Sequence, residues 1–368
     1  MSASMKVTIL CSGVHLGVYV PGLLVEFGLR QLGVQTDVET IEAYYKQAER
    51  ERLEQVREAY RRNFQFALVA RRMTQDIQPS LDDDLLAEML ERWKREERRH
   101  FIMWSGFWLP VMARYRSLID DSIRVDHCRI DALISPSFEV YSHLDGEGRV
   151  VWFWNGAADR LENRVPVSYG PTIAFKQREG RYVVHGGGWG VGTYRDKIPE
   201  LQAAGLPLDI IAYSPDEIEK RSPSDRVFMV EPDWRAWMKG ADGRHLFPPF
   251  GRVAPGPAER LRQPTDHHGL FDVIAQSRAV ISKPGGGTLI DSLESATPLV
   301  ILEPYGRAEE ANGVLWEQLG LGLAYKTWRE SGFSTDLLER CHEKLLEARQ
   351  QTPDYCRAYA DELRRSLA

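Results

Sequence analysis

Cysteine is scarce: Cys11, Cys128, Cys341 and Cys356 are the only four in 368 residues. They fall at no spacing typical of a metal site and are too few for a disulfide framework, so reduced thiols are expected. Charge of one sign is also in short supply. The 47 basic and 53 acidic side chains leave a net charge of -6, which gives nucleic acid no electrostatic hold, and no nucleic-acid partner is expected. Long apolar runs are missing as well. The opening "MSASMKVTILCSG" enters a β-like run without the basic and apolar regions of a signal peptide. The most membrane-like stretch, "FIMWSGFWLPVMARYRSLI" from Phe101, is broken by Ser105, Gly106 and Pro110 and carries Arg114 and Arg116. No transmembrane segment is expected from it, although it could lie on a membrane surface. The chain reads as cytoplasmic, with nothing that specifies an oligomer.

What is present is a globular composition, 43% hydrophobic and 27% charged. The length suits two domains of roughly 150 to 200 residues with a cleft between them. "KVTILCS" reads as a buried strand, "VHLGVYVPGLLVEFGLRQLG" as loop and helix ending at Gly33, and "VQTDVETIE" as a second strand. This β-loop-α-β order opens a parallel, doubly wound sheet. Helical, heavily charged segments follow from Tyr44 to about Ile77 and from about Leu81 to Arg116, as insertions into the first domain. Strands are expected again around Leu133, Val151 and Val167. "GRYVVHGGGWGVGTYRDKIPELQAAG" then restarts the pattern, with further strands at "LDIIAYS", "RVFMVEP", "HLFPPFG", "RAVISKPG", "PLVILEP" and "GLGLAYK". The expected organisation is two α/β Rossmann-like domains, residues 1–178 and 179–345, and a C-terminal helix, 346–368, that returns to the first. No fixed-period repeat or low-complexity segment interrupts this order.

Three glycine loops each follow an expected strand and precede an expected helix: Gly13 to Gly17, Gly186 to Gly192, and Gly285 to Thr288. A backbone without Cβ atoms can approach a phosphate closely, and the free N–H groups of a helix start are anion donors. None of the loops carries the Gly-Lys-Ser/Thr of a P-loop. Other candidates have plainer readings. His267-His268 lacks a third metal ligand at useful spacing and reads as a cap before "GLFDVIAQS"; Asp82 to Asp84 reads as an acidic helix start. Phe101, Trp104, Phe107, Trp108, Trp152, Phe153 and Trp154 read as packing, with an apolar acceptor pocket as the alternative.

The segment "KPGGGTLIDSLESATPLVILEPYGRAEEANGVLWEQLGLG", Lys283 to Gly322, resembles the donor-binding segment of GT-B glycosyltransferases. It is most similar to the bacterial lipid II N-acetylglucosaminyltransferase and the diacylglycerol glycosyltransferases. "HGGGWGVG" resembles the loop that opens their nucleotide domain, and "CSGVHLGVYVPGLL" their first loop. The resemblance implies a GT-B fold and an inverting, metal-independent transfer from a nucleotide-diphosphate sugar, with UDP the expected nucleotide. It implies no cofactor beyond that co-substrate. Donor binding is expected at Gly187, Gly188, Gly190, Gly285, Gly286, Gly287, Thr288, Asp291, Glu309, Glu310 and Asn312, with Asp291 on the ribose. Gly13 and Gly17 belong to the acceptor-side loop, and His15 would be the base for an acceptor hydroxyl, thiol or amine. The acceptor, a lipid or a small natural product, stays open. Glu309 stands where the family usually has Gln. A carboxylate only accepts hydrogen bonds whereas an amide also donates, so an amino sugar, a pseudo-glycosyl transfer or a sugar-nucleotide epimerisation stay open beside the ordinary donor; a separate alternative is a cleft that binds a nucleotide or peptide without catalysis.

Overall fold

The computed structural model describes residues 6–13, 16–65, 67, 76–120, 122–214, 217–218, 222–254 and 261–367. A first sheet contains β1 (Lys6–Cys11), β2 (Gln35–Thr40), β3 (His100–Met103), β4 (Arg124–Arg129) and β5 (Arg149–Trp152), ordered β2-β1-β3-β4-β5. All its neighbours run parallel; Val7 of β1, for instance, pairs with Thr36 on one side and His100 on the other. Helix α1 (Leu16–Gln31) connects β1 to β2. It ends before Gly33, whose φ of 80° suits a residue without a Cβ.

Helices α2 (Gln47–Arg62), α3 (Asp83–Arg95) and α4 (Leu109–Arg116) fill the region between β2 and β4. Asp82 caps α3, its Oδ1 accepting from the backbone of Asp84 at 3.1 Å and Leu85 at 3.2 Å. The helix expected through Leu81 to Arg116 is interrupted by β3. "HFIM" is central in the sheet and covered on both faces, so it lacks the alternation that marks a half-exposed strand. The strand expected around Leu133 is instead β4, and Leu133 lies in the loop before α5 (Pro136–Val140). The charges of "RVDHCR" disguise β4 as polar chain, but Asp126 is buried and ion-paired to Arg124 and Arg149. Val167 is buried but outside any strand. Phe101, Trp104, Trp108 and Met112 lie in the interior, whereas Leu118 near the end of that stretch is exposed. Those rings pack the core, as do Phe153 and Trp154.

A small hairpin of β6 (Trp154–Asn155) and β7 (Arg160–Leu161) leads to the second sheet. Its strands are β8 (Tyr182–Val184), β9 (Leu208–Ala212), β10 (Arg226–Val230), β11 (Phe250–Val253), β12 (Ala279–Ser282), β13 (Leu299–Ile301) and β14 (Gly322–Ala324). Their order is β11-β10-β9-β8-β12-β13-β14, with β11 antiparallel and the rest parallel. Helices α6 (Tyr194–Ala203), α7 (Leu270–Gln276), α8 (Gly286–Ser295), α9 (Arg307–Gln318), α10 (Tyr325–Glu330) and α11 (Thr335–Gln351) flank it.

Pro353 separates α11 from α12 (Tyr355–Leu367), which lies on the first lobe. Tyr355 donates its hydroxyl to Asp126 at 2.9 Å, and the Arg124 guanidinium sits 4.7 Å from the Tyr359 ring centre. The lobes also meet directly: Trp154 contacts Trp316 edge-on with ring centres 5.1 Å apart, and Tyr19 donates to the Leu246 carbonyl at 2.9 Å. No described helix is long and apolar enough to cross a membrane.

Candidate functional site

In both sheets the first strand has the next strand of the chain on one side and a later one on the other. A crevice opens beyond the C-terminal ends of the strands at such a reversal, and ligands of open α/β sheets bind there. In the second sheet the reversal lies between β8 and β12. The chain leaving β8 is His185 and the glycine run; the chain leaving β12 is Lys283, Pro284 and the start of α8.

The glycines bring the lobes together here. A Cβ on Gly287 would stand 3.3 Å from the Gly17 Cα, and one on Gly188 would stand 2.6 Å from the Leu16 Cβ. A Cβ on Gly286 would be 2.7 Å from the Ile130 carbonyl oxygen, and one on Gly13 would overlap the Ala236 side chain. The start of α1 therefore abuts the start of α8 and the turn after β8. Gly187 and Gly190 also have φ of 71° and 66°, which a side chain resists. The first N–H groups of α8 have no carbonyl partner within their helix. Thr288, one of them, is buried at that helix start.

A cation sits between the two glycine turns. A Cβ on Gly187 would be 3.3 Å from Lys283 Nζ, and one on Gly285 would be 3.5 Å from it. Lys283 donates to Glu309 Oε1, while Glu309 Oε2 accepts from the Tyr305 backbone N–H at 2.6 Å. Glu310, its neighbour, is exposed. Asn312 is buried and bridges the lobes: its oxygen accepts from the Ala132 N–H at 2.7 Å, and its amide donates to Asp131 Oδ1 at 2.8 Å and to the Pro284 carbonyl at 2.9 Å. Both amide hydrogens are thus engaged.

Asp291 lies one turn into α8, 4% exposed, with His268 Nε2 at 2.9 Å from its Oδ1. Neither His267 nor His268 caps α7, whose N-cap residue is Gly269. His267 reaches Asp272 at 2.8 Å instead. His185 accepts at Nδ1 from the Gly187 N–H at 3.0 Å, which leaves the proton of its neutral ring on Nε2. That nitrogen and His268 Nδ1 are buried without a partner among the described residues. Burial, with Lys283 and His268 close by, pushes His185 down to about 3, so it is neutral at physiological pH.

The inserted helices reach the same place from the first lobe. The Tyr60 ring lies tilted against Trp189 with centres 6.0 Å apart, and Phe64 likewise against Tyr305 at 6.3 Å. Tyr305 donates its hydroxyl to the Ala67 carbonyl at 3.0 Å, and Arg61 donates to the Tyr213 carbonyl at 2.6 Å. The end of α2 and the chain just after it, Phe64 and Ala67, form a strap over the glycine turn after β8 and over Tyr305.

Of the residues singled out by sequence, Gly17, Gly187, Gly188, Gly285, Gly286, Gly287, Thr288 and Asp291 surround this point together with Glu309 and Asn312. His15 lies outside the described residues. Gly13 is held beside the cleft by Glu42, which accepts from its N–H at 2.7 Å and from the Ser12 hydroxyl at 2.6 Å. Sequence reasoning passed over Lys283, His185 and Glu42, and read His268 as a helix cap rather than as the partner of Asp291. Lys283 and His185 each directly adjoin a glycine motif, which is the signal that could have found them; Glu42 and His268 are brought in by the fold alone. No three His, Cys, Asp or Glu side chains among the described residues stand together as a metal site.

No protein-family model matches this chain, and no curated protein matches its sequence. Solved structures do. MurG of Acinetobacter baumannii superposes with a TM-score of 0.53 at 12% identity, over 98% of this chain and 99% of that one. The glycosyltransferase SnogD from Streptomyces nogalater gives 0.53 at 14% identity, over 99% and 100%. The glycosyltransferase VinC, in complex with DTDP, gives 0.54 at 10% identity, over 98% and 99%. Identities this low speak to architecture, and the match runs the length of both chains. This chain has the two-lobed GT-B fold of the glycosyltransferases.

Proposed function

We propose that the protein transfers a glycosyl group from a nucleotide-diphosphate sugar, a UDP-sugar first among them, to a lipid or small natural-product acceptor. The observation that carries this reading is the convergence of two helix N-termini and the Lys283 ammonium on one point between the lobes. Each helix start acts as roughly half a positive charge. Glu309 answers the ammonium, and the helix starts beside it favour a further anion, such as a diphosphate. The N–H groups of Gly286, Gly287 and Thr288 and the Thr288 hydroxyl would hold its oxygens. Asp291 would accept from the ribose hydroxyls, with His268 sharing its carboxylate.

In the transfer step an acceptor atom attacks the anomeric carbon from the face opposite the diphosphate. The carbon–oxygen bond to the diphosphate breaks with inversion, and its electron pair stays on the leaving oxygen. Donors already aimed at that oxygen stabilise it without reorganisation. The acceptor proton would pass to His15, which in sequence lies between Gly13 and Leu16, the residue beside the Gly188 turn. An apolar acceptor is supported by Leu133 and Ile134, 38% and 44% exposed, directly after the Ala132 that Asn312 holds at the cleft.

Calorimetric titration with UDP tests the site. Asp291→Ala is expected to bind about tenfold more weakly than the unaltered protein, the loss of one charge-assisted hydrogen-bonding group. Equal affinity would remove the ribose assignment. Transfer assays across nucleotide sugars, with hydrolysis followed in parallel, then identify the donor.

A further inference from the structure

Of the glycines around Lys283, Gly285 is not required by its own backbone. Its φ of -74° and ψ of 150° are extended values open to any residue. What a side chain there would meet is the Lys283–Glu309 pair, with Glu309 Oε1 3.4 Å and Lys283 Nζ 3.5 Å from the added Cβ. The absence of a side chain keeps space beside an ion pair.

The two ends of that pair are held unequally. Glu309 is anchored at its other oxygen by the Tyr305 N–H, at the first turn of α9, and is 7% exposed. The Lys283 ammonium is on a flexible stem, with Tyr305 5.8 Å away as a ring neighbour. Drawn off Glu309, the ammonium would leave a carboxylate that still accepts a backbone hydrogen bond. It would itself move among the glycine turns and the start of α8, where the diphosphate is proposed to sit.

We infer that Glu309 is an internal stand-in for a phosphate oxygen: in the unliganded protein it neutralises Lys283, and a bound diphosphate displaces it and takes the ammonium. This rests on the reading of the cleft as a diphosphate seat. It gives the carboxylate at position 309 a task on the lysine rather than on the donor sugar. Ligand affinity is lowered by the fraction of protein in which Lys283 is held.

Titrations with UDP, inorganic pyrophosphate and uridine on purified full-length protein test this. Glu309→Gln keeps an acceptor for the Tyr305 N–H but gives up the charge on Lys283. It should bind UDP and pyrophosphate about tenfold more tightly than the unaltered protein, as expected if a tenth of the lysine is free at rest, with uridine binding unchanged. Lys283→Met should weaken UDP and pyrophosphate and spare uridine. Because it strands a buried carboxylate, the double variant Lys283→Met, Glu309→Gln serves beside it. It should fold with the unaltered melting temperature and still bind UDP weakly. If the unaltered protein binds UDP but Glu309→Gln binds it equally or less tightly, the stand-in role is overturned and the diphosphate seat stands. If UDP binds no better than uridine in all of these proteins, both are overturned.

Discussion

The two ends of the second sheet use the same materials differently. At the N-terminal edge of its strands, Asp209 is fully buried and accepts from Arg181 Nε at 2.7 Å and from Arg226 Nε and Nη2 at 2.7 and 2.6 Å. Arg226 also reaches Glu179 at 2.7 Å, and Arg181 donates to the Leu208 and Ser224 carbonyls. Every group in this cluster is answered by another. At the C-terminal edge, Lys283 shares Glu309, Asp291 faces His268, and two imidazole nitrogens are buried without a partner among the described residues. Buried charge alone therefore does not mark a site. Unanswered polar atoms alone do not mark one either, since the indole nitrogens of Trp93, Trp104 and Trp154 are also without a partner among the described residues; what sets this end apart is that such atoms stand beside a cation and two glycine turns, where a ligand could answer them.

The largest effect is expected at the satisfied end. Asp209→Asn leaves two guanidinium groups facing a neutral amide and should cost about 3 kcal/mol of stability, the low end for breaking a buried pair because both arginines are partly exposed. Denaturant unfolding measures it, while UDP affinity of the folded protein should be unchanged. The open end should show itself through pH. His185 is neutral in the folded chain down to about 3 and has an ordinary value of 6.5. Between those limits the unfolded chain binds the extra proton, so stability rises with pH and is lost as pH falls below 6.5. At pH 5 the loss from this one group amounts to about 2 kcal/mol. His185→Gln, which still accepts from Gly187, should flatten that part of the profile; an unaltered slope would mean His185 is already charged in the folded protein.

The contrast also explains which parts were legible in the sequence. The parallel sheets could be read where strands were apolar and glycine turns followed, as at β1, β8 and β12. They could not be read at β3 and β4, where one strand lacks alternation and the other hides charges satisfied by distant partners. The glycine turns themselves were visible because a missing Cβ is a local property. What they approach was not: Gly17 against Gly287, and Ile130 against Gly286, are long-range meetings across the cleft. Glu309 showed the same limit. Its departure from Gln could be seen, but the reason offered by the fold is Lys283, 26 residues earlier in the chain.

The open end is also the covered end, and the strap tests whether cover and site go together. Phe64→Ala removes the ring facing Tyr305 and should cost about 1 kcal/mol of stability, the scale of an aromatic pair. Stopped-flow measurement should show faster UDP release, since the strap lies over the turn after β8. Asp209→Asn should leave that rate alone. A release rate unchanged by Phe64→Ala would separate the strap from the site.

The smallest effect is expected one residue from the site. His267 and His268 are adjacent, yet His267 turns outward to Asp272, whose hydrogen bond raises the imidazole above its ordinary 6.5. The sign is opposite to that of His185: the raised group contributes stability that is full below pH 6.5 and is lost as pH rises through the higher folded value. Asp272 is 61% exposed, so screening holds the contribution to about 0.5 kcal/mol. His267→Gln should remove it near pH 6 and change nothing at pH 9. A larger loss, or one that persists at pH 9, would mean that His267 supports the neighbouring His268–Asp291 contact as well as its own surface pair.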